Sequence, residues 1–209
     1  LSSNKWGVSV IEEWNSGSIV GDEYYPSCSL LLHLNGSNGS TTFTDNSPSP
    51  KTITANNGVS ISTAQSKFGG ASAYFDGTGD YLSTNSSNNF AFGTGDFTVE
   101  CWIYSSNVSS ANQKGFLQTS DTAGGLKLGY TTGIAILQGI NASASPLNGG
   151  LGANVAGTWV GSSTAVISTN TWYHISVVYN RSDKVYLYVN GALDSSATIS
   201  QFHFHLVQD

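Results

Sequence analysis

Two aspartates flank a tight glycine-rich turn, and their chemistry suits a cation. Asp76 and Asp80 enclose Gly77-Thr78-Gly79, between two short stretches that alternate in hydrophobicity. Carboxylates combined with the backbone carbonyls of a loop are the ligands that Ca²⁺ prefers. Aspartate in a glycine-rich turn also commonly accepts hydrogen bonds from its own backbone. The spacing suits a Ca²⁺ site at Asp76 and Asp80, and the turn-stabilising role is the favoured one of the two interpretations.

Aromatic residues, which make up 11% of the chain, offer a second kind of chemistry. Sugar-binding sites commonly place an exposed Trp or Tyr beside amide and carboxylate groups, so that the ring stacks on the sugar. Tyr81, Tyr130 and Trp159 lie near predicted loops and are the candidate carbohydrate-binding residues. Trp102 and Trp172 lie within predicted central strands, and we expect them to belong to the core.

The sequence offers little support for the residue patterns of hydrolytic enzymes. Glycoside hydrolysis requires two carboxylates flanking the scissile bond, and the predicted strand 97–104 contains a single acidic residue, Glu100. The sequence also lacks the Gly-x-Ser-x-Gly motif of a nucleophile elbow. These observations predict a protein that is not an enzyme.

The histidines and cysteines carry little further signal. His203-x-His205 has a spacing that can bind Zn²⁺ or Ni²⁺ with a third ligand, although a terminal tail is the plainer account. The two cysteines, Cys28 and Cys101, either pair or remain as small buried thiols, and a single pair does not make a disulfide framework.

Charge excludes some partners. Only 10% of the 209 residues are charged, and 7 Lys and Arg against 13 Asp and Glu give a formal net charge of −6. Without a basic patch, the chain is not expected to bind nucleic acid. No apolar run approaches the length of a membrane span, so membrane insertion is not expected either.

The pattern along the chain is that of many short strands separated by Gly, Asn and Asp turns, which predicts an all-β, two-sheet antiparallel sandwich. Asn190-Gly191 predicts a type I′ hairpin turn. Residues 139–163 resist assignment and are expected to form a long loop with one weak strand at 155–160. The other predicted strands comprise 29–34, 41–44, 59–62, 73–75, 81–84, 97–104, 116–117, 126–130, 134–137, 172–179, 184–189 and 192–199.

Four segments in order resemble a known family. They are SLLLHLNGSNGSTTFTD (29–45), KFGGASAYFDGTGDYLST (67–84), FAFGTGDFTVECWIY (90–104) and NTWYHISVVYNRSDKVYLYVNGAL (170–193). Together they resemble the laminin-G-like jelly rolls of the concanavalin-A-like lectin and glucanase superfamily, of the kind found in marine and cyanobacterial phage virion proteins. The resemblance implies an N-terminal arm or linker at 1–27, a jelly-roll sandwich at 28–200 and a C-terminal tail at 201–209.

The sequence departs from this family at its C-terminal end, and the resemblance implies a function. Such domains end on a further strand of the type Gly-x-Ile-Asp-Asp-Val-Arg-Ile, whereas this sequence ends in QFHFHLVQD (201–209). An uncovered edge would favour pairing with a second copy or with other virion subunits. We therefore expect an extracellular protein of the virion surface, either a lectin-like adhesion module for host glycans or a structural cement without a ligand. A glycoside hydrolase is the third alternative.

Overall fold

The computed structural model describes residues 24–85, 90, 95–111, 114–118, 134–140, 146–155 and 157–199. Every strand pairing within them is antiparallel, and the described helical structure is one 3₁₀ turn at Tyr25–Ser27. The chain forms two compact units, 1–93 and 94–209, and each is described by itself. Most of the predicted arm and all of the predicted tail lie outside the described residues.

Unit 1 consists of two short hairpin-like pairs of strands. Strand β1 (Ile53–Asn56) pairs with β4 (Tyr81–Thr84), and β2 (Ser60–Ser62) pairs with β3 (Ser72–Tyr74). The predicted strand 81–84 is confirmed, and the predictions at 59–62 and 73–75 are each confirmed within one residue. A small core holds the pairs together and consists of Phe43, Val59, Ile61 and Ala71.

The prediction of a buried strand at 29–34 is wrong. Leu32 makes an isolated bridge to Asp45, and the leucines of this segment are only partly buried. Its backbone is paired elsewhere, because Leu31 donates to the Asp45 carboxylate at 3.0 Å and accepts from the Asn46 amide at 2.8 Å. The strand predicted at 41–44 is likewise reduced to a bridge between Thr44 and Thr52.

Unit 2 contains a four-stranded sheet in the order β12-β11-β10-β5. Its strands are β5 (Phe97–Tyr104), β10 (Trp172–Tyr179), β11 (Lys184–Val189) and β12 (Ala192–Thr198). The three strands with the clearest alternation, β5, β10 and β11, have the bounds that the sequence predicts. Asn190 and Gly191 both have positive φ, 51° and 77°, which confirms the type I′ turn between β11 and β12.

A second four-stranded sheet, in the order β6-β7-β8-β9, packs on the first through β8 and β9. Its strands are β6 (Lys114–Gln118), β7 (Ile134–Ile140), β8 (Pro146–Val155) and β9 (Thr158–Gly161). The prediction of a long loop at 139–163 is therefore wrong. Within it, Leu151, Ala153 and Val155 alternate in position and are fully buried. The small residues of this segment, Gly152 and Ala153, hide the pattern in the sequence.

The two sheets of unit 2 form a β-sandwich with its core between them. From the first sheet, Ile175, Val177, Val185 and Leu187 are each 0% exposed. They share one face, because paired residues in an antiparallel sheet point to the same side. Among the described residues, no helix is long and apolar enough to cross a membrane.

Candidate functional site

The opposite face of the first sheet in unit 2 is rich in aromatic rings. Cross-strand register places Tyr104 beside Trp172 and Trp102 beside His174, with Glu100, Ser176 and Tyr188 in the next row. Along β10 these residues alternate with Ile175 and Val177, which point into the core and are fully buried. We call this surface the aromatic face and define it by Glu100, Trp102, Tyr104, Trp172, His174, Tyr186 and Tyr188.

The rings of the aromatic face pack in neighbouring pairs. The centroids of Trp102 and His174 are 5.2 Å apart, and those of Tyr104 and Trp172 are 5.4 Å apart, with tilted planes in both pairs. Aromatic pairs favour such tilted contacts at 4.5–7 Å. Alternate residues along a strand lie about 7 Å apart, so these pairs form a ladder along β5 and β10.

A carboxylate lies beside this ladder. Glu100 Oε2 is 3.4 Å from His174 Nε2, a diagonal contact between β5 and β10. The Glu100 and His174 side chains are 21% and 20% exposed, so both keep a path to solvent. Partly exposed rings next to an acceptor carboxylate are a combination that can bind a ligand with apolar faces and hydroxyl edges.

The prediction that Trp102 and Trp172 belong to the core is wrong. Both are half-buried and lie on the face opposite to Ile175 and Val177, which are fully buried. A signal was present in the sequence, since Trp102 alternates in step with Glu100 rather than with the apolar residues of β5. The prediction assumed central strands, whereas in the described part of the chain β5 lies at one end of its sheet, and every strand has two different faces.

The carboxylates of this face do not match a hydrolase. Glu100 is the single acidic residue in β5, β10 and β11. Asp96 precedes it by four residues, about 14 Å along an extended chain, and its Oδ1 accepts the Arg181 amide at 2.9 Å. Paired glycosidase carboxylates lie about 5–9.5 Å apart. The spacing of Asp96 and Glu100 therefore does not match that of a glycosidase pair.

Asp76 and Asp80 organise their own turn. Asp76 Oδ1 accepts the Thr78 amide at 2.6 Å, and Asp80 Oδ2 accepts the Asp76 amide at 2.9 Å. The Asn57 side-chain amide donates to the Gly79 carbonyl, which ties this turn to the one between β1 and β2. The turn-stabilising role is therefore observed, and one oxygen of each carboxylate is engaged in it.

The other predicted site residues are dispersed. Tyr81 begins β4 in unit 1, immediately after Asp80, and is 52% exposed. Trp159 lies in β9 of unit 2, is half-buried, and is paired opposite the buried Asn154. Tyr130 lies outside the described residues, as do His203 and His205. Within the described ranges, no three His, Cys, Asp or Glu side chains group as metal ligands.

The cysteines are thiols in the structure. Cys28 Sγ donates to the Leu30 carbonyl at 3.4 Å. Burial, reinforced by the negative charge of Glu100, raises the pKa of the Cys101 thiol to about 12. A thiol that stays protonated at neutral pH is a poor nucleophile, so Cys101 acts as a packing residue.

A comparison with protein families agrees with this geometry. The model of a family described as the concanavalin A-like lectin/glucanases superfamily matches residues 76–205, which is more than half of the chain. The chain belongs to this superfamily, and its fold is the jelly-roll sandwich. No curated protein matches it.

Solved structures share the fold at low sequence identity. A mutant of HCR/D is 18% identical with a TM-score of 0.58, and the alignment covers 86% of this chain and 41% of that one. The botulinum neurotoxin serotype D binding domain is 17% identical, with a TM-score of 0.51 and coverage of 83% and 39%. The binding domain of botulinum neurotoxin DC in complex with SialylT is 12% identical, with a TM-score of 0.51 and coverage of 85% and 41%. The chain thus spans about two fifths of the length of these structures.

Proposed function

We propose that this chain is a non-enzymatic carbohydrate-binding module and that the aromatic face is its glycan-binding surface. The observation that carries the proposal is the ladder of half-buried rings, Trp102 with His174 and Tyr104 with Trp172, beside the Glu100 carboxylate. Pyranose rings present C–H faces that stack on aromatic side chains, and their hydroxyl groups donate to carboxylates.

The family and its structural neighbours support a binding role in general terms. The superfamily includes lectins as well as glucanases by its own description, and the neighbours with this fold are binding domains. A fold by itself does not determine a ligand, so the proposal depends on the face and not on these likenesses.

The biological setting belongs to the same proposal. The resemblance to phage laminin-G-like domains supports a role at the virion surface, as a tail-fibre, appendage or capsid-decoration module that recognises host glycans. A single shallow face binds weakly, and many copies on one particle would raise the overall affinity by avidity.

Glycan-array binding of the chain displayed in multiple copies tests the proposal. We expect binding by the wild-type chain and a loss of at least about fivefold for Trp102→Ala and for Trp172→Ala, since the stacking of a ligand ring on an aromatic side chain contributes about 1–3 kcal/mol where it has been measured for nucleic-acid bases. Phe68→Ala is the matched control, because Phe68 is a 66% exposed aromatic residue of unit 1 outside this face.

The same array distinguishes the aromatic face from the other candidate sugar-binding residues, Tyr81 and Trp159. Loss of binding in Tyr81→Ala or Trp159→Ala, with Trp102→Ala unaffected, would move the site away from the aromatic face. Release of reducing ends from a bound polysaccharide would show hydrolysis and would contradict the non-enzymatic role.

Structural cement without a ligand is the second candidate. It is favoured by the position of β12 at the end of its sheet in the described part of the chain, where an edge can pair with another subunit. Binding to no glycan on the array, together with a concentration-dependent oligomer in light scattering, would support this function instead.

A further inference from the structure

The aromatic face contains a third pair of rings, which lies on β11. The ring centroids of Tyr186 and Tyr188 are 6.3 Å apart, and their planes are tilted by 31°. Cross-strand register places Tyr188 opposite Ser176 and Tyr186 opposite Val178. These two positions follow His174 on the same face of β10, so the tyrosines extend the ladder by two rows. We call Tyr186 and Tyr188 the tyrosine pair.

The three ring pairs form one path across the sheet. The row of Trp172 lies two residues before the row of His174, which is about 7 Å along β10. Tyr188 is the diagonal neighbour of His174 across β10 and β11, at a distance of roughly 7–8 Å that aromatic side chains can bridge. From the row of Trp172 to the row of Tyr186 the path covers six positions of β10, about 20 Å. Each of its rings is half-buried and therefore keeps part of its surface exposed.

Hydrogen bonds hold members of this path in place. The His174 amide donates to the Asn190 side-chain carbonyl at 2.9 Å, and the His174 carbonyl accepts the Asn190 amide at 2.8 Å. The Tyr186 hydroxyl donates to the Asp183 carboxylate. These contacts fix the backbone of His174 and the ring of Tyr186 before a ligand binds, which lowers the cost of ordering them on binding.

The length of the path sets the size of the ligand that can use it. A pyranose ring is similar in size to an aromatic ring, so a single sugar covers one ring pair and leaves the other two uncontacted. Sites for a single small ligand are concave and bury most of its surface, whereas these rings occupy successive rows of one sheet face. A ligand that contacts all three pairs is a chain of sugars about 20 Å long that lies along the rows.

We propose that the aromatic face binds extended glycan chains along their length, and that the tyrosine pair is the subsite for the sugars furthest from the tryptophans. This inference rests on the proposed function and names the class of its ligand, which is an internal segment of a polysaccharide and not a terminal sugar. A disaccharide stacked on the ring pairs that contain Trp102 and Trp172 does not reach the tyrosine pair, whereas a hexasaccharide does.

A length series of oligosaccharides tests the proposal. The probes are β-1,4-linked chains of glucose, of mannose and of galactose, from the disaccharide to the hexasaccharide, and calorimetry measures the affinity for each. In any series that binds, we expect the hexasaccharide to bind at least about fivefold more tightly than the disaccharide, because it stacks on one further ring pair.

Variants of the tyrosine pair isolate its contribution from the larger number of positions in which a long chain can bind. Tyr186→Ala/Tyr188→Ala should lower the affinity for the hexasaccharide at least about fivefold and leave that for the disaccharide unchanged. Tyr186→Phe/Tyr188→Phe keeps both rings and removes the hydrogen bond to Asp183, so it should retain the preference for the long chain. Tyr74→Ala is the matched control, because Tyr74 is a 55% exposed tyrosine of unit 1 outside this face.

The outcomes distinguish this inference from the function on which it rests. A disaccharide that binds the wild-type chain as tightly as the hexasaccharide, or a preference that Tyr186→Ala/Tyr188→Ala leaves unchanged, would overturn the role of the tyrosine pair while glycan binding stands. If no probe of any length binds the wild-type chain, the proposed function fails and this inference fails with it. Should the double alanine variant fail to fold, Tyr188→Ala alone takes its place with the same expectation.

Discussion

Asp45 is the most heavily engaged polar residue of unit 1. It is 4% exposed and accepts the Leu31, Ser47 and Lys51 amides at 2.8–3.0 Å, as well as the Ser47 hydroxyl at 3.0 Å. The Lys51 ammonium lies 3.7 Å from its Oδ2. This carboxylate joins residue 31 of the segment 29–34 to the loop at 45–51.

The Asp45→Asn variant tests this role at the residue scale. We expect it to lower the free energy of unfolding by about 3 kcal/mol, because the amide cannot accept all of these N–H groups and the nearby ammonium loses its counter-charge. Urea unfolding followed by circular dichroism measures the loss. Asp96→Asn, at an exposed position, is the control and should change stability little.

The pH dependence of stability provides a second readout of Asp45. Burial raises the pKa of this carboxyl. The hydrogen bonds from the amides of Leu31, Ser47 and Lys51 together lower the pKa by more than burial raises it, so the net pKa lies below that of an ordinary aspartate. Its stabilising effect is therefore complete above the unfolded-state pKa and is lost as the pH falls through the folded-state pKa. Asp45→Asn should flatten the acid limb of stability against pH, and an unchanged limb would contradict this account.

The Ca²⁺ proposal at Asp76 and Asp80 also belongs to the residue scale. The turn's amides bind one oxygen of each carboxylate, which leaves the second oxygen for a cation. We expect millimolar Ca²⁺ to raise the melting temperature of the wild-type chain and not that of the Asp76→Asn/Asp80→Asn variant. Identical melting with Ca²⁺ and with a chelator would show that these aspartates serve the turn alone.

At the scale of the strands, the bounds of a strand could be predicted where large side chains alternate between its two faces. β5, β10 and β11 combine aromatic and β-branched residues in period two, and their bounds follow from the sequence. β8 escaped prediction because glycine and alanine supply much of its length, so its pattern is carried by small residues. The segment 29–34 was predicted as a strand for the opposite reason. Its leucines are typical of a buried strand, but its Leu31 amide donates to the Asp45 side chain instead of to a neighbouring strand.

Gly149 in β8 shows why such a strand needs glycine. Its φ is +67°, and a Cβ there would collide with the Ile167 carbonyl oxygen. The approach is close because the Gly149 carbonyl accepts the Val166 and Ile167 amides at 2.9 and 3.0 Å. Gly149 thus fixes the loop between β9 and β10 to β8.

A matched pair of glycine variants measures this contact. Gly149→Ala should lower the free energy of unfolding by about 3 kcal/mol, from backbone strain and steric overlap together. Gly191→Ala has a similar φ of +77° with no atom near the added Cβ, and should lose about 1 kcal/mol from strain alone. Equal losses in thermal unfolding would show that the Ile167 carbonyl moves aside without cost.

The candidate site was predicted less well than the strands. The alternation of β5 already placed Glu100 and Trp102 on one face, but neither tryptophan of the ladder was assigned to a site. The reason is that a binding face forms from residues distant in sequence, and the pairing of β5 with β10 brings Trp102 to His174. A single sequence shows each strand's two faces and not which of them the second sheet covers.

At the scale of the whole molecule, a chain with few charges and a net charge of −6 carries a face of aromatic rings in a lectin and glucanase sandwich. A surface of this kind on many copies of the chain would gain affinity for a repeating glycan through avidity.

The most direct test is an NMR titration of the chain, with labelled tryptophan, by a neutral glycan that it binds on the array. The account predicts that the indole N–H signals of Trp102 and Trp172 shift with saturation while that of Trp159 stays in place. Shifts at Trp159 without shifts at Trp102 and Trp172 would contradict the account, as would a titration that moves no indole signal.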